Sequence, residues 1–598
     1  MAIYIPPKKK YYNPQPDEEI GDWLLNTFLE FGISQVFGIP GAAIEPFFNA
    51  LGRAQRNNKI NFTTVKHETA AAFAAEGYFR FSGKPAVCCS TAAPGITNLI
   101  TGVANAKIER IPLIVITAQV PMKDFESGAP QDSATHYLDA QNLMSEVCTY
   151  STLITHPHQI INKLCFGLSL LQGASPGPIH FSFPLDILKQ KINDLNFDFP
   201  TPFQIVSSMA KHENTISNEK FAELTTIIQA FGENVTLYFG KDVSRSSECF
   251  IKIATALNWT LLCSPEGKGL IDHDHPQFKG VTGLAGHNFA AKHLTTTNDL
   301  IVLLGTTFDQ SCNGGWNIMD FPHKRMIQIN QTPAEIQAYV PTTLRISCDM
   351  NDLSMRLAKT LKVPLRSVEQ QFTAKRPDYI DDYHWRLMNS KTANTDRIKP
   401  QTFIGGLNQL AGSTVPICAD CSSSFLWAIH LWKSKPKLRS ATANNFHVTT
   451  TFGSMGWAIS SSMGIAQAIK EAGSDIPAIC ITGDGSYLMS SQEIGTAAQL
   501  NLRLAIFILN DSSYGLVQHC QKIVGAEQIA TQLPDIDFTK IAQAQGIKGY
   551  HIRNSNDLTF AWSDFQRGQG PALFDVYIDT EEIPPFGNRL KNLGFKSK

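Results

Sequence analysis

The sequence predicts an α/β protein made of three doubly wound parallel-sheet domains. Three observations carry that expectation. Apolar runs of strand length alternate with helical segments in the first and last thirds, and such alternation calls for parallel sheets covered by helices on both faces. Two polar, Pro-containing joins, near Pro200–Asn214 and Val368–Asp382, divide the chain. The length of 598 residues suffices for three or four domains at ~150 residues each. The expected domains are 17–195, 215–366 and 383–580.

Composition narrows the function. Hydrophobic residues at 43% and charged residues at 17% suit a globular chain with a large core. Lys+Arg 51 against Asp+Glu 52 leaves a net charge of −1, which supplies no global attraction for nucleic acid. The apolar runs fall far short of the ~20 residues a membrane helix needs. The N-terminal MAIYIPPKKKYYNPQPDEE has no apolar signal core, and Lys8–Lys10 reads as a solvated leader. The 12 scattered cysteines suit reduced thiols in the cytoplasm. Cys418-Ala-Asp-Cys421 has CxxC spacing, but no second pair or nearby His completes a zinc site.

The first domain opens with a helix over Ile20–Phe31, then a strand that ends in the turn Gly38-Ile39-Pro40-Gly41. Gly41, lacking a side chain, permits close approach. Val65-Lys66-His67-Glu68 closes a strand and opens an Ala-rich helix. Glu68 there suits the helix dipole, and His67 reads as its neighbour in the turn. After STAAPGITN and the strand PLIVITAQV comes a loop holding Gln131, whose neutral amide can donate a hydrogen bond. The central domain carries strands in NVTLYFG, WTLLCS, DLIVLLGTTF, RMIQIN and RISCD. His273-Asp274-His275 lies in a turn-rich loop with no further metal ligand evident nearby.

In the last domain a strand ends near Ala419 and Ser422–Ser424 open a helix. Ser423 and Ser424 there either cap the helix or hold phosphate. Met455, by itself, reads as core filler. A strand over Ile476–Thr482, with Pro477 at its start, runs into Gly483-Asp484-Gly485-Ser486. A helix is expected over Ser490–Leu500, then a strand over Leu504–Leu509 that ends on Asn510-Asp511. Parallel strands deliver their carboxyl ends to one edge, where such sheets bind ligands. Asp484 and Asp511, 27 positions apart, should therefore meet. Two hard oxygen ligands suit Mg²⁺. Gly485 lets the backbone approach a diphosphate, toward which helix N–H groups point. An ordinary strand–helix–strand with a tight Gly turn is the plain alternative.

GDG followed by 24 residues and Asn-Asp resembles the cofactor motif of the thiamine-diphosphate-dependent enzymes. FGIPG, KHE and STAAPGITNLITGVANAKIERIPLIVITAQV closely resemble the pyrimidine-binding domain of that superfamily. The match is nearest to the acetohydroxyacid synthase (acetolactate synthase) group and covers about residues 17–585. It implies pyrimidine-binding, central and diphosphate-binding domains in that order. It implies thiamine diphosphate and Mg²⁺ as cofactors, with Asp484, Asp511 and the Ser513 carbonyl on the metal. Family members commonly have Asn in place of Asp511. Glu68 would contact the aminopyrimidine and share a proton with its ring nitrogen. Gln131 and Gly41 would lie near the substrate, although Pro130 replaces the family's usual Phe. Ser423, Ser424, Gly485 and Ser486 would hold the diphosphate, the Gly453 carbonyl the aminopyrimidine, and Met455 would prop the cofactor into a V. Cys520 stands where synthases commonly carry Trp, which weakens a preference for a larger second keto acid.

The resemblance implies decarboxylation of a pyruvate-like 2-keto acid and carboligation to a second carbonyl, as in branched-chain amino acid biosynthesis. It also implies a homodimer or homotetramer with shared active sites, and leaves a regulatory subunit open. FAD, usual in the synthases' central domain, is disfavoured, because the Gly-rich turn appears as Phe239-Gly240-Lys241-Asp242 and the Arg-bearing strand end as Gly305–Gln310. The alternatives are a non-carboligating decarboxylase, a lyase or a phosphate-dependent acetyltransferase of the same superfamily. A cofactor-binding protein without turnover is the alternative outside enzymes.

Overall fold

The computed structural model describes residues 17–173, 175–195, 200–208, 214–315, 325–365, 396–436 and 444–586. Lys8–Lys10 and the join at 368–382 lie outside them. Three six-stranded sheets form, and neighbouring strands pair in parallel throughout. This is the three-sheet α/β architecture that the alternation of strands and helices predicts.

The first sheet holds β1 (Gln35–Gly38), β2 (Asn61–Thr64), β3 (Ala86–Ser90), β4 (Leu113–Gln119), β5 (Tyr150–Leu153) and β6 (Pro178–Pro184), in the order β2-β1-β3-β4-β6-β5. The second holds β7 (Val235–Phe239), β8 (Thr260–Cys263), β9 (Phe278–Val281), β10 (Leu300–Leu304), β11 (Met326–Asn330) and β12 (Leu344–Ser347), in the order β12-β11-β10-β7-β8-β9. The third holds β13 (Ile417–Ala419), β14 (Phe446–His447), β15 (Ala478–Gly483), β16 (Leu504–Asn510), β17 (Lys548–Ile552) and β18 (Ala572–Tyr577), in the order β14-β13-β15-β16-β18-β17.

The first and third sheets thus share one winding. The chain reverses direction between β1 and β3, and again between β13 and β15. The central sheet reverses between β7 and β10. A crevice opens at such reversals, at the carboxyl ends of the strands.

Two compact units result. One contains the first sheet, with a core that includes Trp23, Phe28, Phe47, Ile114 and Phe181. The other contains the second and third sheets, joined by a single core that runs from Ile216 to Phe586. Alternate residues of β7 face opposite ways. Val235, Leu237 and Phe239 enter that joint core, whereas Tyr238 packs with Leu262, Ile301, Leu303 and Met326. Both faces are covered, as a doubly wound sheet requires.

Two expectations change. The helix predicted over Ser490–Leu500 is two helices, Asp484–Ser490 and Glu493–Gln499, so Asp484 and Gly485 lie in a helical turn rather than in a loop ahead of it. The sequence reading places no strand at β3, β5, β9, β14 or β17; β3 lies inside its sheet and the other four are outer strands. β5 and β17 are partly wetted, so their apolar pattern is weak; β17 is buried only at Ile552. No helix among the described residues is long and apolar enough to cross a membrane.

Candidate active site

The carboxyl edge of the third sheet brings the two acids together. Asp484 is the first residue of its helix and 2% exposed. Asp511 follows β16 directly. The Ser513 amide donates to Asp484 Oδ2 at 3.2 Å and to Asp511 Oδ1 at 3.1 Å. One N–H therefore bridges both carboxyl groups. The Gly485 amide donates to Asp484 Oδ1 at 2.7 Å. Burial raises both carboxyl pKa values, and the charge of Asp511 raises that of Asp484 further. Arg397 opposes this rise at Asp511 while its Nη1 donates to the Asn510 and Ile578 carbonyls. Two crowded carboxylates with few donors form a site that a hard cation would neutralise.

Residues that the sequence reading passed over hold these acids in place. A Cβ on Gly515 would stand 2.1 Å from Asp511 Oδ2, so the acid needs glycine there. Asn510 donates to Asp575 Oδ1 at 2.9 Å and its own side-chain oxygen accepts from the Ser512 amide, which fixes the turn at the end of β16. Gly485 also has a packing role: a Cβ there would meet the Tyr514 ring at 2.5 Å.

Beside β13, Ser422 caps the helix Ser423–Leu431 by accepting from the Ser424 amide at 3.1 Å. Ser424 Oγ donates to the Asp420 carbonyl at 3.0 Å, so this hydroxyl serves the cap. Ser423 Oγ, by contrast, is buried without a hydrogen-bond partner, as is Ser486 Oγ. An unsatisfied buried hydroxyl costs about 1–3 kcal/mol. Two of them lie just past β13 and β15, beside two unneutralised acids. That donor set fits a diphosphate and its cation. Gly453 has φ +68° and Met455 is half-buried in the turn ahead of the helix Trp457–Glu471.

Asp420, inside the CxxC sequence, was not singled out by sequence. It is fully buried and accepts four hydrogen bonds, while burial pushes its carboxyl up to about 6. The flanking Cys418 and Cys421 form no disulfide, and Cys418 Sγ donates to Ser461 Oγ at 4.0 Å. His273 and His275 also serve the local fold: His273 Nε2 lies 3.2 Å from the Lys268 carbonyl, and His275 Nδ1 accepts from the Gln277 amide at 3.2 Å.

The edge of the first sheet is built by close helix packing. Glu68 is the first residue of the helix Glu68–Ser82, and His67 is its cap, accepting from the Thr69 amide at 3.3 Å. Gly102 lets the helix Pro94–Ile108 approach until a Cβ would stand 2.6 Å from that of Ala72. Across this contact Asn98 Nδ2 donates to Glu68 Oε2 at 2.9 Å. A Cβ on Gly41 would stand 2.4 Å from that of Thr91, so the close approach it permits is to the β3 loop. Thr91 Oγ1 is another buried, unpartnered hydroxyl. Nearby, Ala93 has φ +48° and ψ −101°, a strained backbone for alanine. Gln131 is exposed with φ +65°, at the tip of a loop that Asp132 organises by accepting from the Glu126 and Ala134 amides.

Three family descriptions match the chain in order. They are the N-terminal TPP binding domain of the thiamine pyrophosphate enzymes at residues 18–142, the central domain at 223–357 and the C-terminal TPP binding domain at 421–576. The chain belongs to the thiamine pyrophosphate enzymes. Within that family it is similar over almost its whole length to acetolactate synthase large subunits. It is 28% identical to the probable large subunit of Methanococcus aeolicus over 578 residues, covering 93% of this chain and 92% of that protein. It is 28% identical to the isozyme 2 large subunit of Escherichia coli K12 over 574 residues, covering 94% and 97%. The isozyme 1 large subunit of the same organism is 25% identical over 593 residues.

Proposed function

We propose that this thiamine pyrophosphate enzyme decarboxylates a pyruvate-like 2-keto acid and joins the remaining fragment to a second carbonyl compound, as an acetolactate synthase does, working as a homodimer or homotetramer. The observation that carries the cofactor reading is the Ser513 amide shared between buried Asp484 and half-buried Asp511, with unpartnered hydroxyls beside them. In this reading Asp484, Asp511 and the Ser513 carbonyl hold Mg²⁺. Ser423, Ser486, Gly485 and amides of the helix Ser423–Leu431 hold the diphosphate, and Ser424 supports them through the cap. The Gly453 carbonyl orients the aminopyrimidine, and Met455 sets the bend between the cofactor's rings.

Bound thiamine diphosphate supplies an electron sink for the pair left when carbon dioxide departs. The protein's task is to hold a proton at the right atom. Asn98 orients the Glu68 carboxyl, and Glu68 holds the proton shared with the aminopyrimidine. Gln131, on its exposed loop, offers an amide donor to a keto or carboxylate oxygen. The small Cys520 leaves room at the acceptor side. No flavin is assigned to the central domain; a flavin absorption band in the purified protein would overturn that.

Glu68→Gln keeps the shape and removes the acid. Carbon dioxide release should fall about 10²–10⁴-fold, the range for loss of a general acid–base group. Product analysis with pyruvate separates the readings: acetolactate supports carboligation, acetaldehyde a simple decarboxylase, and acetyl phosphate a phosphate-dependent transferase. Absence of cofactor-dependent carbon dioxide release across a panel of 2-keto acids would leave a binding protein without turnover.

A further inference from the structure

Asp420 lies where the third sheet reverses direction, between the carboxyl ends of β13 and β15. Its four bonds reach three separate segments. Oδ1 accepts from the Cys421 amide at 3.2 Å and the Ala458 amide at 3.3 Å. Oδ2 accepts from the Gly456 amide at 3.0 Å and from Thr482 Oγ1 at 2.9 Å. Thr482 stands two residues ahead of Asp484 on the same strand. Gly456 and Ala458 bracket the end of the turn that carries Gly453 and Met455. The donors are all neutral, so the carboxylate acts here as a geometric hub and not as half of an ion pair. Each of its oxygens takes two donors, which only a carboxylate can do; an amide side chain has a single acceptor oxygen.

A second contact clamps the same turn. Gly456 has φ +82°, and a Cβ there would stand 2.5 Å from Ser490 Oγ. Ser490 ends the helix that Asp484 begins. The turn is therefore held at one end of that helix by packing, and beside its other end by the Asp420–Thr482 bond. Loops are set this closely when a small displacement of what they carry matters to function.

We propose that Asp420 is a positioning residue that sets Met455 relative to the strand bearing Asp484. This rests on the assignment of Met455 as the support beneath the cofactor. The chemistry asked of Asp420 is only acceptance of hydrogen bonds, so no proton or bond is transferred through it.

The test uses the full chain with thiamine diphosphate and Mg²⁺. Asp420→Asn keeps the volume and removes acceptor capacity. Thr482→Val removes one donor and leaves Asp420 in place. Cofactor binding is followed by quenching of tryptophan fluorescence, and the bound aminopyrimidine by its circular dichroism at saturating cofactor. For Asp420→Asn we expect an altered dichroism signal and a kcat for carbon dioxide release about 10–100-fold lower, the usual loss when a supporting partner is removed. KM for pyruvate should change little. Thr482→Val should shift both readouts in the same direction by a few-fold. In a Met455→Ala background, Thr482→Val should have no further effect on the dichroism.

Wild-type dichroism and kcat at saturating cofactor in Asp420→Asn would overturn the proposal, even if affinity were weaker, because that is the signature of a purely structural residue. If Asp420→Asn does not fold, Thr482→Val decides by the same criterion. Full additivity with Met455→Ala would also overturn it. Wild-type protein that binds no thiamine diphosphate would instead remove the underlying assignment of the site.

Discussion

The carboxyl edges of the central and third sheets make an instructive pair. Both belong to one compact unit and share one hydrophobic core. At the central edge the two strand ends flanking the reversal touch. A Cβ on Gly240 would stand 2.1 Å from the Gly305 carbonyl oxygen. Lys241 pairs with Glu266 at 3.1 Å, Glu266 accepts from Thr450 Oγ1 at 2.8 Å, and Asp309 caps its own short helix. The charges there are spent on one another. At the third edge the acids repel, and hydroxyls are left without partners. At the two reversals, strand ends of the same kind thus meet in direct contact and ion pairing in one sheet, and around unspent hydroxyls and two acids in the other. Unsatisfied polar groups are costly, and at the third edge they gather around two acids, which supports the proposed cofactor site there.

The largest test of this contrast is Asp484→Ala against Gly240→Ala. The first should abolish Mg²⁺-dependent binding of thiamine diphosphate. The second should lower stability by about 1–3 kcal/mol through overpacking and leave cofactor affinity unchanged. Titration calorimetry beside urea unfolding reads both. Loss of cofactor binding in a folded Gly240→Ala protein would break the contrast.

Next in size is a buried cation at the central edge. Lys268 Nζ is buried without a hydrogen-bond partner, 5.5 Å from the centre of the Phe446 ring, and burial lowers its pKa to about 7. A base whose pKa is depressed on folding adds stability at high pH, and that stability is lost as pH falls from the ordinary lysine range toward about 7. Lys268→Met should therefore raise the thermal midpoint near neutral pH, with the gain shrinking as pH rises. An equal gain at every pH would rule out this origin.

Asp484 and Asp511 behave in the opposite sense. Their raised pKa values favour the protonated pair in the metal-free fold. That contribution is complete below the ordinary aspartate range and is lost as pH climbs toward neutrality. Asp511→Asn should flatten this loss, and Mg²⁺ should stabilise wild type more than the variant. Thermal unfolding with and without chelator, across pH, checks the sign.

The smallest effect belongs to Ser423→Ala. Removing an unpartnered hydroxyl should leave the metal-free stability level or slightly higher. It should weaken thiamine diphosphate binding by up to about tenfold, one hydrogen bond's worth. A stability loss with unchanged affinity would move Ser423 to the sealed class.

Strands such as β4 and β16 were legible because burial on both faces writes a long continuous apolar run, whereas the shorter β3, AVCCS, left a weaker one. Outer strands such as β5 and β17 are half-wetted and left no such run. The acids Glu68, Asp484 and Asp511 stood out because KHE, GDG and Asn-Asp stand at the ends of strands in stretches that resemble the family's motifs. Asp420 and Asn98 did not, since each acts on atoms more than 25 positions away. The CxxC around Asp420 drew the eye to sulfur and away from the carboxylate between.

Sequence alone determined the α/β class, the parallel strands that bring their carboxyl ends to one edge, and which residue types gather there. Those follow from periodicity and from local turn chemistry, which neighbouring residues decide. Only the tertiary structure decided which serine keeps its hydroxyl unspent, which glycine is forced by a neighbour's carboxylate, and which aspartate ties three segments together. Such choices depend on distances between segments remote in sequence, and no local pattern encodes a distance.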